Sequence, residues 1–291
     1  VGPMGLLQPI ADALKLVMKE DVVPGWANRP LFWISPLLVF VPAFTLWLTI
    51  PFARNVVLRN LELGIFFFIA FSVLTIVGLV LAGWSSASKY AVLGGFRSAA
   101  QLVSYEIPII MVIVAVVVLT RSMNFVEIVD AQATIPYGAL LPLGLVVFLI
   151  AGMAEVGRTP FDIYFAESEV VGGPFVEYSG AHWAIFFLAE YINTFTIAAL
   201  TVLLFLGGWR WPEMPFEGNI HSVLSLLWFL VKTYLVILVI FWIRGTYPRL
   251  RIDQLLAFAW KFLLPLSIIN LFATALEVFF LRSDVGVLDT T

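Results

Sequence analysis

The chain has 291 residues, 62% of them hydrophobic and only 12% charged, with a mean hydropathy of +1.02 and a net charge of −3. A soluble domain carries about a quarter charged residues, so this composition excludes a soluble protein and points to an integral membrane protein. Cysteine is absent and histidine occurs only at His182 and His221, which excludes disulfides, thiolate zinc sites and thiolate-held iron–sulfur clusters within this chain, and the charge balance gives no hint of nucleic-acid binding.

The sequence opens Val1-Gly2-Pro3, without an initiator Met or a signal-peptide pattern, and is read as lacking its native N-terminus. Residues 5–15, Gly-Leu-Leu-Gln-Pro-Ile-Ala-Asp-Ala-Leu-Lys, are amphipathic and too short to span. They predict a helix lying at the membrane interface, with Asp12, Lys15, Lys19 and Glu20 on or near its polar side. Seven apolar segments follow, near 32–53, 64–82, 104–120, 138–154, 183–207, 222–243 and 258–281. A span needs roughly 20 residues, so the third and fourth must borrow flanking residues. Pro36 and Pro42 predict a kink or irregular start in the first. Lipid cannot satisfy free backbone groups, so the expected fold is all-α, a polytopic transmembrane helical bundle forming a single integral membrane domain over 1–291.

Lys and Arg near the helix ends set the orientation. Lys15, Lys19, Arg29, Lys89, Arg97, Arg158, Arg244, Arg249, Arg251 and Lys261 gather on one side, against Arg54, Arg59, Arg121, Arg210 and Arg282 on the other. This bias places the loops 1–31, 83–103, 155–182 and 244–257 in the cytoplasm or a mitochondrial matrix. The opposite loop 208–221, with Gly-Trp-Arg-Trp-Pro, reads as an ordinary interfacial cap.

The inward loops concentrate the chemistry. Ala154-Glu155-Val156-Gly157-Arg158-Thr159-Pro160-Phe161-Asp162, continued by Glu167, Glu169 and Glu177, crowds carboxylates between two apolar runs. Carboxylates beside a bilayer are costly, and a cluster of them points to a water-filled path or a polar ligand site. Glu155 and Arg158 stand at i,i+3 and are placed to pair. Solvated loops have no need of the neighbouring Phe161, Ile163, Tyr164, Phe165 and Phe175. Glu190 lies inside the fifth span, and Lys232 near the middle of the sixth. An unpaired ammonium at that depth costs roughly 2.5–3.5 kcal/mol, which calls for function or pairing. Glu277, near a helix end, suits snorkelling. Gly83-Trp84-Ser85-Ser86-Ala87-Ser88-Lys89-Tyr90 leads to Arg97, Gln101 and Ser104-Tyr105-Glu106, and Arg244-Gly245-Thr246-Tyr247-Pro248-Arg249-Leu250-Arg251-Ile252-Asp253-Gln254 is the most basic segment. None of these has a phosphate-cradling Gly motif, a metal-binding His pair or a nucleophile triad.

Five stretches together carry a family resemblance: 5–21, 83–108, 154–180, 186–193 (FFLAEYIN) and 242–255 (WIRGTYPRLRIDQL). In this order, with spans between them, they resemble the quinone-site membrane subunit of respiratory complex I, the NADH-quinone oxidoreductase found in bacteria and in mitochondria. The resemblance covers essentially the whole chain and implies eight helices, seven of them present here and one further span before residue 1. It implies a quinone tunnel capped by the inward loops, with ubiquinone or menaquinone as substrate and no iron–sulfur cluster, flavin or metal held by this chain. The implied partners are hydrophilic iron–sulfur and quinone-module subunits on the cytoplasmic or matrix side, antiporter-like membrane subunits, and the lipid bilayer. Nucleic acid is not among them. The implied location is a bacterial plasma membrane in preference to a mitochondrial inner membrane.

By position in these motifs, the resemblance implies tunnel-lining or proton-coupling roles for Asp12, Glu20, Lys89, Arg97, Glu106, Glu155, Arg158, Asp162, Glu167, Glu169, Glu177 and Glu190. Lys232, Arg244, Arg249, Arg251 and Asp253 match less discriminating positions. Two departures stand out. The family has an acid where Phe165 stands, so Glu167 and Glu169 are expected to substitute, and it usually has Asn at Gly157. The expected mechanism is redox-driven proton translocation as a subunit of an NADH:quinone oxidoreductase, with no complete redox site in this chain. The rival readings are a homologous subunit of a ferredoxin-, deazaflavin- or hydrogenase-linked complex, a non-catalytic membrane anchor, and a secondary transporter, the last disfavoured because no repeat is evident.

Overall fold

The computed structural model describes residues 2–54, 56–163, 167–210 and 219–284. Among them there is no strand, only an isolated bridge between Ala53 and Val56. The helices are α1 (Gln8–Met18), α2 (Arg29–Thr45), α3 (Gly64–Ser85), α4 (Lys89–Thr120), α5 (Phe125–Ala131), α6 (Tyr137–Leu140), α7 (Pro142–Val156), α8 (Glu167–Val170), α9 (Gly180–Phe205), α10 (Asn219–Thr246), α11 (Ile252–Phe258) and α12 (Leu264–Asp284). A π-helical turn, Ala259–Leu263, joins the last two.

Among the described residues, six apolar stretches are long enough to cross a membrane: Arg29–Leu48, Gly64–Ser85, Lys89–Thr120, Gly180–Phe205, Val223–Thr246 and Ile252–Phe280. The seventh expected span is the shorter apolar helix Pro142–Val156. It is short because the backbone breaks at Leu141, after which Pro142 occupies the first turn, where its missing N–H costs nothing. The third span borrows heavily from its flank. The segment 83–103, expected as a loop, is helical from Lys89 onward, so α4 runs 32 residues. At 1.5 Å per residue that is about 48 Å, well beyond the roughly 30 Å of a hydrocarbon core. α2 continues through Pro36 and Pro42, both buried, and ends in a 3₁₀ turn at Leu46–Leu48.

The chain packs as two compact units, residues 1–45, 71–100 and 162–193, and residues 46–70, 101–161 and 194–291. In the first, glycines bring backbones together. A Cβ on Gly78 would lie 2.6 Å from Val39 Cγ2, one on Gly83 2.5 Å from the Ala91 carbonyl, and one on Gly94 2.5 Å from Gly173 Cα. Small residues allow this close approach where lipid offers no hydrophobic drive. In the second unit a Cβ on Gly152 would meet Ile197 at 2.6 Å, and the fully buried core includes Phe148, Leu200, Leu203, Leu204 and Phe205. Trp47 Nε1 donates to Thr196 Oγ1 at 3.0 Å.

α1 forms where the amphipathic pattern predicted, and none of its residues is buried in this chain. Leu7, Ile10, Leu14, Val17 and Met18 remain exposed, and Gln8 Nε2 donates to Asp12 Oδ1 at 3.0 Å.

Candidate functional site

In the first unit, polar contacts tie the segment after α1 to the start of α9. Val22 N donates to Ser179 Oγ at 3.1 Å, and Asp21 Oδ2 pairs with Nδ1 of the buried His182. The Trp33 ring meets His182 edge-on at 4.3 Å. Gly180, at φ +56°, passes so close that a Cβ would lie 2.9 Å from the Lys19 carbonyl.

Tyr178 locks the same region. Its ring stacks on Phe32 at 4.0 Å and meets Phe186 edge-on at 4.9 Å. Its hydroxyl lies 3.1 Å from Ser85 Oγ and donates to the Phe32 carbonyl at 3.3 Å. Burial pushes the phenol above its ordinary range, against the opposing pull of hydrogen bonds with Ser85 and Ser35, so it stays a neutral donor. The neighbouring Glu177 is half-buried on this fixed turn. Arg97 on α4 binds Glu169 on α8 at 2.5 Å.

In the second unit, Gly157 ends α7 in the left-handed region, φ +71°, with its N–H on the Ala154 carbonyl. Gly is the residue that tolerates this left-handed cap most readily, with Asn next, which accounts for Gly157 here. The turn carries Arg158 inward to 6% exposure, and its backbone N–H bonds the Met153 carbonyl. Glu155 sits one turn earlier, its Oε2 buried and without a hydrogen-bond partner among the described residues, and it interacts electrostatically with Glu106 of α4. Gln101, 1% exposed, spans the turn: Nε2 donates to both the Ala154 and Phe161 carbonyls at 2.7 Å. Leu250 N donates to the Pro160 carbonyl at 3.0 Å, and Tyr105 OH to the Leu255 carbonyl at 3.0 Å. The basic segment is thereby tied to the same turn and to α4.

Of the predicted residues, the structure therefore brings together Arg97 with Glu169, and Glu106 with Glu155. Arg158 is buried, and Asp162, Glu177 and Glu190 are half-buried. Asp12, Glu20, Lys89, Arg244, Arg249, Arg251 and Asp253 stand exposed in this chain. Phe165 and the side chain of Glu167 lie outside the described residues. Lys232 is 8% exposed and donates to the Leu206 and Gly208 carbonyls at 2.7 and 2.9 Å, beyond the end of α9. Sequence reasoning did not single out Asp21 and His182 as a pair, because they lie far apart in the chain. Gln101 and Tyr178 stand within the motifs but carry no charge to mark them.

The half-buried carboxylates Glu106 and Glu155 can take up or release a proton and Arg158 supplies a fixed positive charge, but no described group among them is a redox centre. Residues 1–275 match the model of the family described as NADH dehydrogenase. The chain is 50% identical over 277 residues to the H subunit of NADH-quinone oxidoreductase from Dehalococcoides mccartyi strain CBDB1, covering 95% of this chain and 76% of that protein. The protein of the same name from Geobacillus kaustophilus is 49% identical over 274 residues, 94% and 81% of the two chains. That of Anoxybacillus flavithermus is 47% identical over 281 residues, 96% and 83%.

Proposed function

Because the chain belongs to the NADH dehydrogenase family, as a membrane subunit of the complex I type, we propose that it forms part of a quinone-access tunnel and couples quinone reduction to proton translocation through its acidic residues. The observation that carries this reading is the electrostatic interaction of Glu106 with Glu155, with the buried Arg158 three residues further along the chain. Two carboxyls interacting away from water titrate as a coupled pair, so a nearby change of charge redistributes their proton. Quinone reduction takes up two protons and alters charge in a low-dielectric setting, where Coulomb energies exceed those in water. The inward loops respond because Gln101, Tyr105 and Leu250 hold the α7 exit and the basic segment to the same helix or turn. Quinone is substrate in this reading, and electrons reach it from partner subunits holding the iron–sulfur clusters.

The test is made on the intact complex in its membrane. Glu155→Gln and Glu177→Gln should assemble, reduce quinone, and lower the protons moved per electron. A quinone analogue bearing a photo-crosslinker should label residues 1–31 or 155–182. Normal stoichiometry in the variants would overturn the coupling role. Labelling elsewhere would leave this chain an anchor for peripheral subunits.

A further inference from the structure

Two buried glutamines in the second unit invite comparison. Gln132 is 0% exposed and all its hydrogen-bonding capacity is used: Nε2 donates to the Ile128 and Leu203 carbonyls at 3.2 and 2.8 Å, and Oε1 accepts from Tyr137 N and Gly207 N at 3.2 and 3.0 Å. That is the pattern of a structural brace. Gln101 is equally buried but differently engaged. Both its N–H groups are taken by carbonyls that bracket the Glu155–Pro160 turn, and its Oε1 is a buried acceptor with no hydrogen-bond partner among the described residues. On the turn that Gln101 bridges, Glu155 Oε2 is a second buried acceptor in the same condition.

From this geometry we propose that Gln101 is a positioning residue for Glu155, its carboxamide fixing the exit of α7 so that Glu155 keeps its electrostatic contact with Glu106. The inference rests on the coupling role of Glu155 given above. Gln101 bridges Ala154, the immediate neighbour of Glu155, to Phe161, seven residues beyond Ala154. Removing the two donors leaves the turn attached through Gly157 and Arg158 backbone bonds, so the loop persists but its acid is free to shift. Phe161 also packs on Tyr105, ring centroids 5.6 Å apart, which holds the far end of the bridge to α4 independently.

The experiment is a double-mutant cycle on the whole complex: Gln101→Met, Glu155→Gln, and both together, with Gln132→Leu as a structural comparison. Assembly, quinone-reduction rate and protons per electron are measured. Gln101→Met should assemble and lower protons per electron two-fold or more. Its effect on rate and ratio should vanish in the Glu155→Gln background, whereas Gln132→Leu should reduce the amount of complex in either background. Gln101→Asn, which keeps the carboxamide but is one methylene shorter, should recover part of the loss. A normal ratio in Gln101→Met, or losses that add to those of Glu155→Gln, would overturn the inference while leaving the coupling role of Glu155 standing. A Glu155→Gln variant with normal stoichiometry would remove both. Failure of both Gln101 variants to assemble would return the residue to a structural role and overturn the inference as well.

Discussion

Arg97 of α4 and Glu169 of α8 meet at 2.5 Å across 72 residues of chain, joining the acidic loop to a helix in the same unit. Their side chains are 21% and 46% exposed, so solvent screens the pair. A pair of this kind contributes about 0.2–1 kcal/mol. Arg97→Gln is therefore expected to leave assembly intact, with any loss confined to the quinone-reduction rate. The exchange Arg97→Glu with Glu169→Arg should recover most of what either reversal alone loses. An exchange no better than the single reversals, measured as NADH-dependent quinone reduction in membranes, would show that the two charges serve different partners.

Gly94 gives a sharper structural test. A Cβ there would lie 2.5 and 2.6 Å from Gly173 Cα and C, and 2.9 Å from Pro174 N. These are backbone atoms and cannot rotate aside, so overpacking at the contact costs about 1–3 kcal/mol. Gly94→Ala should lower the amount of intact complex and its resistance to heat. Gly25→Ala, where nothing among the described residues lies within 4 Å of the added carbon, should behave as the unaltered chain does. Equal yields from the two variants would mean that the α4–loop contact is looser than its geometry implies.

His182 is 7% exposed and its partner Asp21 follows Glu20 directly. Removing one member leaves its hydrogen-bonding partner unsatisfied, which costs about 1–3 kcal/mol when that partner is buried, and Asp21 is about a quarter exposed. His182→Leu should loosen the segment around Asp21 and Val22, seen as faster amide hydrogen exchange at Val22. Asp21→Asn with His182→Gln, which replaces the pair by two neutral hydrogen-bonding groups, should lose less than either single variant. Unchanged exchange at Val22 in His182→Leu would assign the fixing of this segment to Ser179 and Gly180 alone.

The helical bundle was legible because lipid leaves the backbone few choices, and apolar runs of the right length announce themselves. The extent of α4 was not, since Lys89, Arg97 and Gln101 look like loop composition although their backbone is helical. The same ambiguity hid the break at Leu141. For the site, carboxylates were visible by their scarcity, and Glu106 and Glu155 proved to be neighbours. Their approach, however, depends on the packing of α4 against the α7 exit, which no spacing along the chain reports. Neutral residues were the least legible. Gln101 and Gln132 look alike as letters, and only their partners distinguish a bridge over a turn from a fully satisfied brace.

Lys232 separates a pumping role from a structural one most directly. Its ammonium donates to the Leu206 and Gly208 carbonyls and lies 5.6 Å from the centroid of the Trp228 ring. Carbonyls at a helix C-terminus carry partial negative charge without intrahelical donors, so a cation there answers both deficits. Lys232→Met keeps most of the apolar stem and removes the donors, leaving two carbonyls, one of them buried, to find others at about 1–3 kcal/mol. The expected result is less complex or a lower temperature of inactivation, with the same protons per electron in what assembles. Lys232→Arg, which keeps the charge but not the compact geometry, should fall between. A Lys232→Met complex that assembles in full but moves fewer protons per electron would place this ammonium in the relay, and its two carbonyl contacts would then describe only one of its positions.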